Sequence, residues 1–271
     1  MVSVNTNSGA ISALRNLEES TRFLESVQTR ISTGLDVSSV KDNPATYTLA
    51  QRMRGDLAGL NATLGSIDRA IIGVDVAAVA TESISDVLIK MKGTLLSFQD
   101  AKENGDTQAE GLYRDELNGY RDTIKFMIEN ASIGDVNLID QGNDIISALA
   151  SADGSRTIDF DHQNLAFGEG LITLSEDGDM TIEQLEKTID NVNGALGHFG
   201  TAARRLEIQK EFTLKLQGVI ESGIGRLVDT NLAKASVDLF AAQIKQQLGI
   251  ASLNIANQAP KIALKLFERD K

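Results

Sequence analysis

Two histidines, His162 and His198, and a scatter of aspartates around two Asp-Gly pairs are the residues whose types could do chemistry. Histidine could ligate zinc or shuttle a proton, and aspartate clusters could hold calcium. The spacing supports neither. The histidines lie far apart in the chain, and no HExxH pattern brings two onto one helix face. Asp153-Gly154 and Asp177-Gly178 lack the ordered ligands of a calcium loop and read as turns, where glycine accepts left-handed backbone. Asp159 and Asp161 alternate onto one side of a short extended run, a solvated face rather than an acid–base pair. No nucleophile stands beside a base, and no phosphate loop is present. The absence of cysteine removes disulfides, thiolate catalysis and Cys-based metal sites together. The expectation is a non-enzymatic protein with no catalytic residue, cofactor or metal.

If the side chains are not arranged for chemistry, the elements must be arranged for something else. The 271 residues carry 4% aromatics, two prolines and a net charge of −12, a composition that favours long helices. From Asp135 to Asp190 there are thirteen acidic residues against two basic ones, Arg156 and Lys187, while both ends are close to neutral. A middle loaded with acid argues against nucleic-acid binding, which needs a basic face. It fits a middle that faces water while the ends are packed away. There is no run of ~18 apolar residues, so membrane insertion is not expected. The start, MVSVNTNSGA, lacks the basic and apolar regions of a cleaved signal peptide. Export would have to leave that N-terminus in place.

From Asn5 to Gly34, Ile11, Leu14, Leu17, Leu24, Val27 and Ile31 fall at three- and four-residue steps. This predicts an amphipathic helix about 45 Å long that stops at a left-handed Gly34. Asn43-Pro44 reads as an N-cap followed by proline at the first helical position. The next helix steps through Leu57, Leu60, Leu64, Ile67, Ile71, Val74, Ala78 and Thr81, slips once to Ile84, and resumes at Leu88, Met91 and Leu95. That is a heptad with one three-residue insertion. A third helix, Thr107 to Asn130, presents Leu117, Tyr120, Ile124 and Met127.

Between 131 and 180 the helical period fades. Turn signals at Ala152-Asp153-Gly154-Ser155 and Glu176-Asp177-Gly178-Asp179, flanked by Thr157–Phe160 and Leu171–Leu174, predict one or two short β-hairpins. Thr181 with Gln184 forms a capping-box pattern opening a helix striped by Ile182, Leu185, Ile189, Val192, Leu196, Phe199, Ala203 and Leu206. Gly194, Gly197 and Gly200 would let another backbone approach, and Gly218, Gly223 and Gly225 predict an interruption.

Residues 230 to 260 contain only three charges, Lys234, Asp238 and Lys245. One stripe runs Leu232, Ala235, Leu239, Ala242, Gln246, Gly249, Leu253, Ala256, and a second runs Val237, Phe240, Ile244, Leu248, Ala251, Ile255. A helix on one core needs one apolar stripe. This one has two, which points to assembly. The fold class expected is mainly α, with long antiparallel helices from the N- and C-terminal halves pairing around a small β-hairpin insert.

The chain resembles bacterial flagellin. The resemblance rests near the N-terminus on Val4-Asn5-Thr6-Asn7, Leu14-Arg15-Asn16-Leu17, Arg30-Ile31-Ser32-Thr33-Gly34 and Lys41-Asp42-Asn43. Near the C-terminus it rests on Val228-Asp229 through Leu232-Ala233, Gln246-Gln247-Leu248-Gly249 and Ile255-Ala256-Asn257-Gln258-Ala259-Pro260. It implies a secreted homopolymer subunit of the extracellular flagellar filament, exported unfolded through the flagellar type III apparatus. A chaperone and the filament cap and junction proteins would be its partners. The implied division is an inner-core helix over 1–40, outer-core helices over 41–135, a short β insert over 136–180, an outer-core helix over 181–225 and an inner-core helix over 226–271. The candidate assembly interface is Leu14, Leu17, Leu24 and Ile31 with Leu232, Leu239, Phe240, Ile244, Leu248, Leu253 and Ile255. Leu232, Leu239 and Leu253 are expected on the N-terminal helix, and Phe240, Ile244 and Leu248 on neighbouring subunits.

Three departures from the family pattern stand out. Ala235 occupies a position that is often acidic, and Glu268 to Lys271 add a charged tail. Lys90, Met91, Lys92 and Gly93 align with the region bound by the innate-immune flagellin receptor, with Lys90 and Gly93 where arginine and glutamate are usual. Lysine does not reproduce the arginine fork, so weak receptor activation is expected. The alternatives are the related hook–filament junction protein and a secreted monomeric interaction protein such as an adhesin or immune ligand.

Overall fold

A computed structural model describes residues 6–168, 170–174 and 180–268, without the side chains of 259 and 261–268. Its elements are α1 (Ser8–Thr33), α2 (Pro44–Glu103), α3 (Thr107–Asn130), β1 (Ser132–Ile133), β2 (Val136–Asn137), β3 (Ile146–Leu149), β4 (Thr157–Phe160), α4 (Ile182–Val228) and α5 (Leu232–Glu268). The fold is mainly α, as the periodicity predicts. The chain divides into two compact units: Met1–Gly55 with Ile220–Lys271, and Asp56–Val219.

Helix ends follow local chemistry. Gly34 closes α1 at φ 72°, its N–H donating to Arg30 O. The Asn43 side chain accepts from Thr46 N at 3.1 Å, and Pro44 opens α2. Thr181 and Gln184 exchange both bonds of a capping box: Thr181 N donates to Gln184 Oε1 at 3.1 Å, and Gln184 N to Thr181 Oγ1 at 3.2 Å. The predicted interruption at Gly218, Gly223 and Gly225 does not occur, and α4 runs on to Val228. A glycine costs ~1 kcal/mol in a helix, too little to break a long one whose other faces pack.

In the unit Asp56–Val219, α2 passes its heptad slip without a break. Ile67, Val74, Ile84, Leu88, Met91 and Leu95 of α2 join Ile124 of α3 and Leu185, Val192, Phe199 and Leu206 of α4 in one core. Four side-chain links lace α2 to α4: Asn61–Gln217 at 3.1 Å, Asp68–Lys210 at 2.8 Å, Ser85–Asn193 at 2.9 Å and Lys92–Glu186 at 2.7 Å. Numbers rise on one helix as they fall on the other, so the pair is antiparallel.

The β3–β4 hairpin lies on these helices. Its register pairs Ile146 with Phe160 and Leu149 with Thr157, turning Ile158 and Phe160 inward and Asp159 outward. Ser66 Oγ accepts from Leu149 N at 3.1 Å, Thr63 Oγ1 donates to Ser151 O at 3.1 Å, and Gln209 reaches Ala150 O at 3.3 Å. A side chain at Gly59 would collide with the Ala152 carbonyl, and one at Gly73 with Ile146. The tip is tied by Asp153, whose carboxyl is held down to about 2 by hydrogen bonds from the Ser151 hydroxyl, then the Ser155 backbone and hydroxyl.

The expected strand at Leu171–Leu174 is a correction. Leu171 N donates to Asn164 O, Thr173 N to Thr188 Oγ1, and the Leu171 carbonyl accepts from Asn191. With its backbone groups taken by a loop and by α4 side chains, the segment has no ladder to join; Ile172 and Leu174 are buried as plugs instead. The second predicted turn, 176–179, lies outside the described residues. A hairpin the pattern did not announce, β1–β2, turns at Gly134 with φ 62°. Gly194, Gly197 and Gly200 face open space, with no backbone approaching them among the described residues.

Candidate functional site

The terminal unit is built on α1 and α5, which run antiparallel. Asn7 caps α1, accepting from Ala10 N at 3.0 Å, and its amide also donates to Ala256 O at 2.7 Å near the far end of α5. Midway, Gln246 lies 3.4 Å from Thr21 Oγ1, and Leu17 packs against Gly249, where a Cβ would sit 3.2 Å from Leu17 Cδ1. Lys245 Nζ lies 5.8 Å from the Phe23 ring centre. Asn231 caps the start of α5 by accepting from Lys234 N at 3.1 Å.

The loop after α1 is stitched to the α4–α5 connection. Asp36 N donates to Val228 O at 2.7 Å, Thr230 N to Gly34 O at 2.9 Å, and Leu35 bridges Asp229. Val37, Ala50 and Val228 form a small core beneath. Asp42 gathers the backbone and hydroxyl groups of Ser38 and Ser39 on one oxygen, and these bonds, led by the Ser39 backbone, lower its carboxyl pKa. Arg30 pairs with Asp36 at 3.2 Å beside a cleft of about 240 Å³ also lined by Val27, Ala235 and Asp238. Ala235, beside this pair, is buried.

The seam between α1 and α5 is narrow and mixes small residues with aliphatic ones. Ala13, Leu24 and Val27 are buried on α1, Ala235 and Ala242 on α5, with Leu17, Ile31, Leu239, Gly249 and Leu253 half-buried. Leu17, Leu24, Ile31, Leu239 and Leu253 thus fall on the inward face of their helices. Leu14 and Leu232 do not. Leu14, like Ile11, is exposed, because Ala10 and Ala13 take the inward positions and admit the close approach of α5. Leu232 stands exposed in the first turn, and the buried seam begins at Ala235.

The second α5 stripe faces away. Val237, Phe240, Ile244, Leu248 and Ile255 are all exposed, Phe240 at 65% and Ile255 at 70%. Scattered exposed apolar residues are ordinary, but a continuous stripe of them along a helix marks an interaction surface. Of the residues aligned with the receptor-bound region, Lys90 and Gly93 are exposed, and Lys92 is engaged with Glu186. Met91, a member of the predicted heptad, is fully buried in the bundle core. His162 serves as a latch, its Nε2 2.7 Å from the Asp140 carbonyl, and His198 stands edge-on to Phe199 with ring centres 6.0 Å apart. Asn7, Asn231 and Asp42 carry the stitching of this unit; an Asx residue just ahead of a helix is the signal that could have marked the first two.

Two family models match the chain: the bacterial flagellin N-terminal helical region over residues 4–144 and the bacterial flagellin C-terminal helical region over residues 181–267. The chain belongs to the bacterial flagellins.

Similar proteins run its full length. Flagellin FljK of Caulobacter vibrioides is 35% identical, with 98% of each chain covered, and flagellin FljJ of the same organism is 36% identical over 98% of this chain and 99% of the relative. A flagellin of Brucella melitensis is 30% identical over 98% and 99%. A chain described as a flagellar hook-associated protein from Vibrio parahaemolyticus shares the fold, with a TM-score of 0.52 over 69% of this chain and all of the other, at 15% identity. That likeness shows the fold alone, and nothing favours the junction protein or a secreted monomer. This flagellin is therefore a structural subunit of the flagellar filament, an extracellular polymer built by self-assembly, in a family that is structural rather than enzymatic. No described helix is long and apolar enough to cross a membrane.

Proposed function

We propose that the terminal unit is the polymerisation element, and that the outward stripe of α5 is covered by neighbouring subunits in the filament. The observation that carries this is the stripe itself: Val237, Phe240, Ile244, Leu248 and Ile255 stand exposed on a helix whose opposite face already has its partner. Burying each contributes about 1.5–3 kcal/mol before the costs of association. Leu17, Leu24, Ile31, Leu239 and Leu253 hold α1 to α5 so that this stripe is presented. Leu14 and Ile11, on the open side of α1, belong with the intersubunit set.

The five-segment division is part of this proposal, with 1–40 and 226–271 as inner core, 41–135 and 181–225 as outer core, and 136–180 as a solvent-facing insert. The acidic charge of the insert supports that orientation. Delivery as an unfolded chain through the flagellar export apparatus suits a protein without a cysteine to cross-link it. A chaperone would cover the apolar ends before assembly, and cap and junction proteins would border the finished polymer. The tail from Glu268 lies beyond the described side chains.

Leu248→Asp in the full chain tests the assignment. Assembly measured by sedimentation and electron microscopy is expected to be abolished, while far-UV circular dichroism and thermal unfolding of the Asp56–Val219 bundle stay unchanged. Protease should trim both termini of the monomer and spare them in the polymer. Filaments of normal yield from the variant would sink the proposal. In a receptor reporter-cell assay, purified monomer is expected to activate weakly, since Lys90 and Gly93 replace the usual pair; full potency would refute this.

A further inference from the structure

The bundle Asp56–Val219 is finished as a folding unit, yet two of its helices carry an outward stripe that folding does not use. On α2, Asp68, Ile72, Asp75, Val79, Glu82 and Asp86 succeed one another at three- and four-residue steps, and all six are exposed. Only Asp68 has an ion-pair partner among the described residues, the Lys210 ammonium at 2.8 Å. On α4, Ile208, Phe212 and Val219 form the opposite chemistry, with exposures of 64%, 58% and 69%. Arg204 and Arg205 stand exposed at the head of that stripe, with no ion pair among the described residues. Lys215 is already neutralised by Glu211. One surface is therefore apolar with free acid, the other apolar with free base.

We propose that these two stripes dock on each other between copies of this chain, α4 of one subunit against α2 of the next. The occupant of each is a second copy, and the charges decide which face it presents. An α2 stripe set on another α2 stripe would oppose Asp75, Glu82 and Asp86 to themselves, and like charges across an interface are costly. Pairing α2 with α4 brings free arginines to free carboxylates, where the planar guanidinium forms paired hydrogen bonds.

The levels also match. The Asp68–Lys210 and Ser85–Asn193 links set the register of the antiparallel helices. They place Ile72 within a turn of the level of Ile208, and Asp75 at the level of Arg204. A copy displaced sideways thus meets Ile72 with Ile208 and Asp75 with Arg204, while Glu82 lies two turns further along the same α2 face. Because the two surfaces differ, the contact is head-to-tail, the kind that propagates into a helical polymer rather than closing as a dimer.

This contact, which rests on the filament role, is separable from the α5 stripe by experiment. Arg204→Glu with Arg205→Glu is expected to raise the critical concentration for assembly of the full chain roughly tenfold or more, as is Asp75→Lys with Glu82→Lys. Combining all four substitutions should restore assembly, an outcome that mere misfolding cannot produce. The cysteine-free background allows a second reading. Copolymers of Ile72→Cys and Ile208→Cys subunits, oxidised as filaments, are expected to yield covalent dimers on a non-reducing gel, whereas either variant polymerised alone should yield none. Unchanged assembly of both reversed variants, as when a lipid surface or another protein is the real occupant, would overturn the proposal. So would copolymers that give no cross-linked dimer. A wild-type chain that forms no filament would instead remove the filament role beneath it.

Discussion

The α1–α5 pair and the α2–α3–α4 bundle are both helical, and both carry three-four apolar spacing, but they bury different shares of their large side chains. In the bundle the fully buried residues include many large ones: Ile67, Ile84, Leu88, Met91, Leu95, Ile124 and Phe199. In the terminal pair Leu24 and Val27 are buried with Ala13, Ala235 and Ala242, and Gly249 is packed against Leu17, while Ile11, Leu14, Phe240, Ile244 and Leu248 look outward. A single narrow seam, with alanine and glycine between Leu24, Val27 and half-buried leucines, brings two backbones close at less hydrophobic gain than a three-helix core. It leaves most of the apolar surface for something else to cover. The core of the bundle is complete within one chain. The terminal pair is complete only as part of a set.

That contrast can be broken by moving the same kind of truncation between the two regions. Leu88→Ala removes a core side chain and is expected to cost about 2–5 kcal/mol in urea unfolding of the monomer. Phe240→Ala, on an exposed face, is expected to change monomer stability by less than ~0.5 kcal/mol. In assembly the order should reverse, with Phe240→Ala the more damaging at temperatures where both variants are folded. Equal monomer destabilisation would mean that the α5 stripe has a partner within the chain.

A smaller effect sharpens the same distinction with glycines. Gly59→Ala drives a Cβ into the Ala152 carbonyl and is expected to cost about 1–3 kcal/mol, because the hairpin backbone cannot move without losing its Ser66 and Thr63 bonds. Gly197→Ala meets open space and should stabilise the monomer by about 0.5–1 kcal/mol, the ordinary helical preference for alanine. Thermal unfolding of the two variants checks both signs. If Gly197→Ala also impairs assembly, the outward face of α4 is occupied in the polymer.

Helix termini were readable where the cap is local. Gly34, Asn43-Pro44 and the Thr181–Gln184 box need only their own few residues to act, so the sequence alone locates them. The α5 stripes were also readable, since their spacing separates Ala235, Leu239, Ala242 and Leu253 from Phe240, Ile244 and Leu248. The inward face of the first turns of α1 was not. Ile11 and Leu14 satisfy the same steps as Ala10 and Ala13, and hydrophobicity favours the wrong pair; the choice is made by how closely α5 approaches. Likewise Leu171–Leu174 alternates as a strand should, but strand identity depends on a free partner edge, and Thr188 and Asn191 had claimed its backbone.

By itself the sequence determined that this chain is a set of long helices with an acidic insert, flagellin ends and more apolar helix surface than one copy can bury. Periodicity, caps and composition are short-range properties, and they survive being read one residue after another. The tertiary structure alone decided that Ala10 and Ala13, rather than Ile11 and Leu14, turn inward on α1. It also decided that Ile72 and Asp75 stand level with Ile208 and Arg204. Those facts depend on how closely and in what register distant helices meet, and only packing sets that distance.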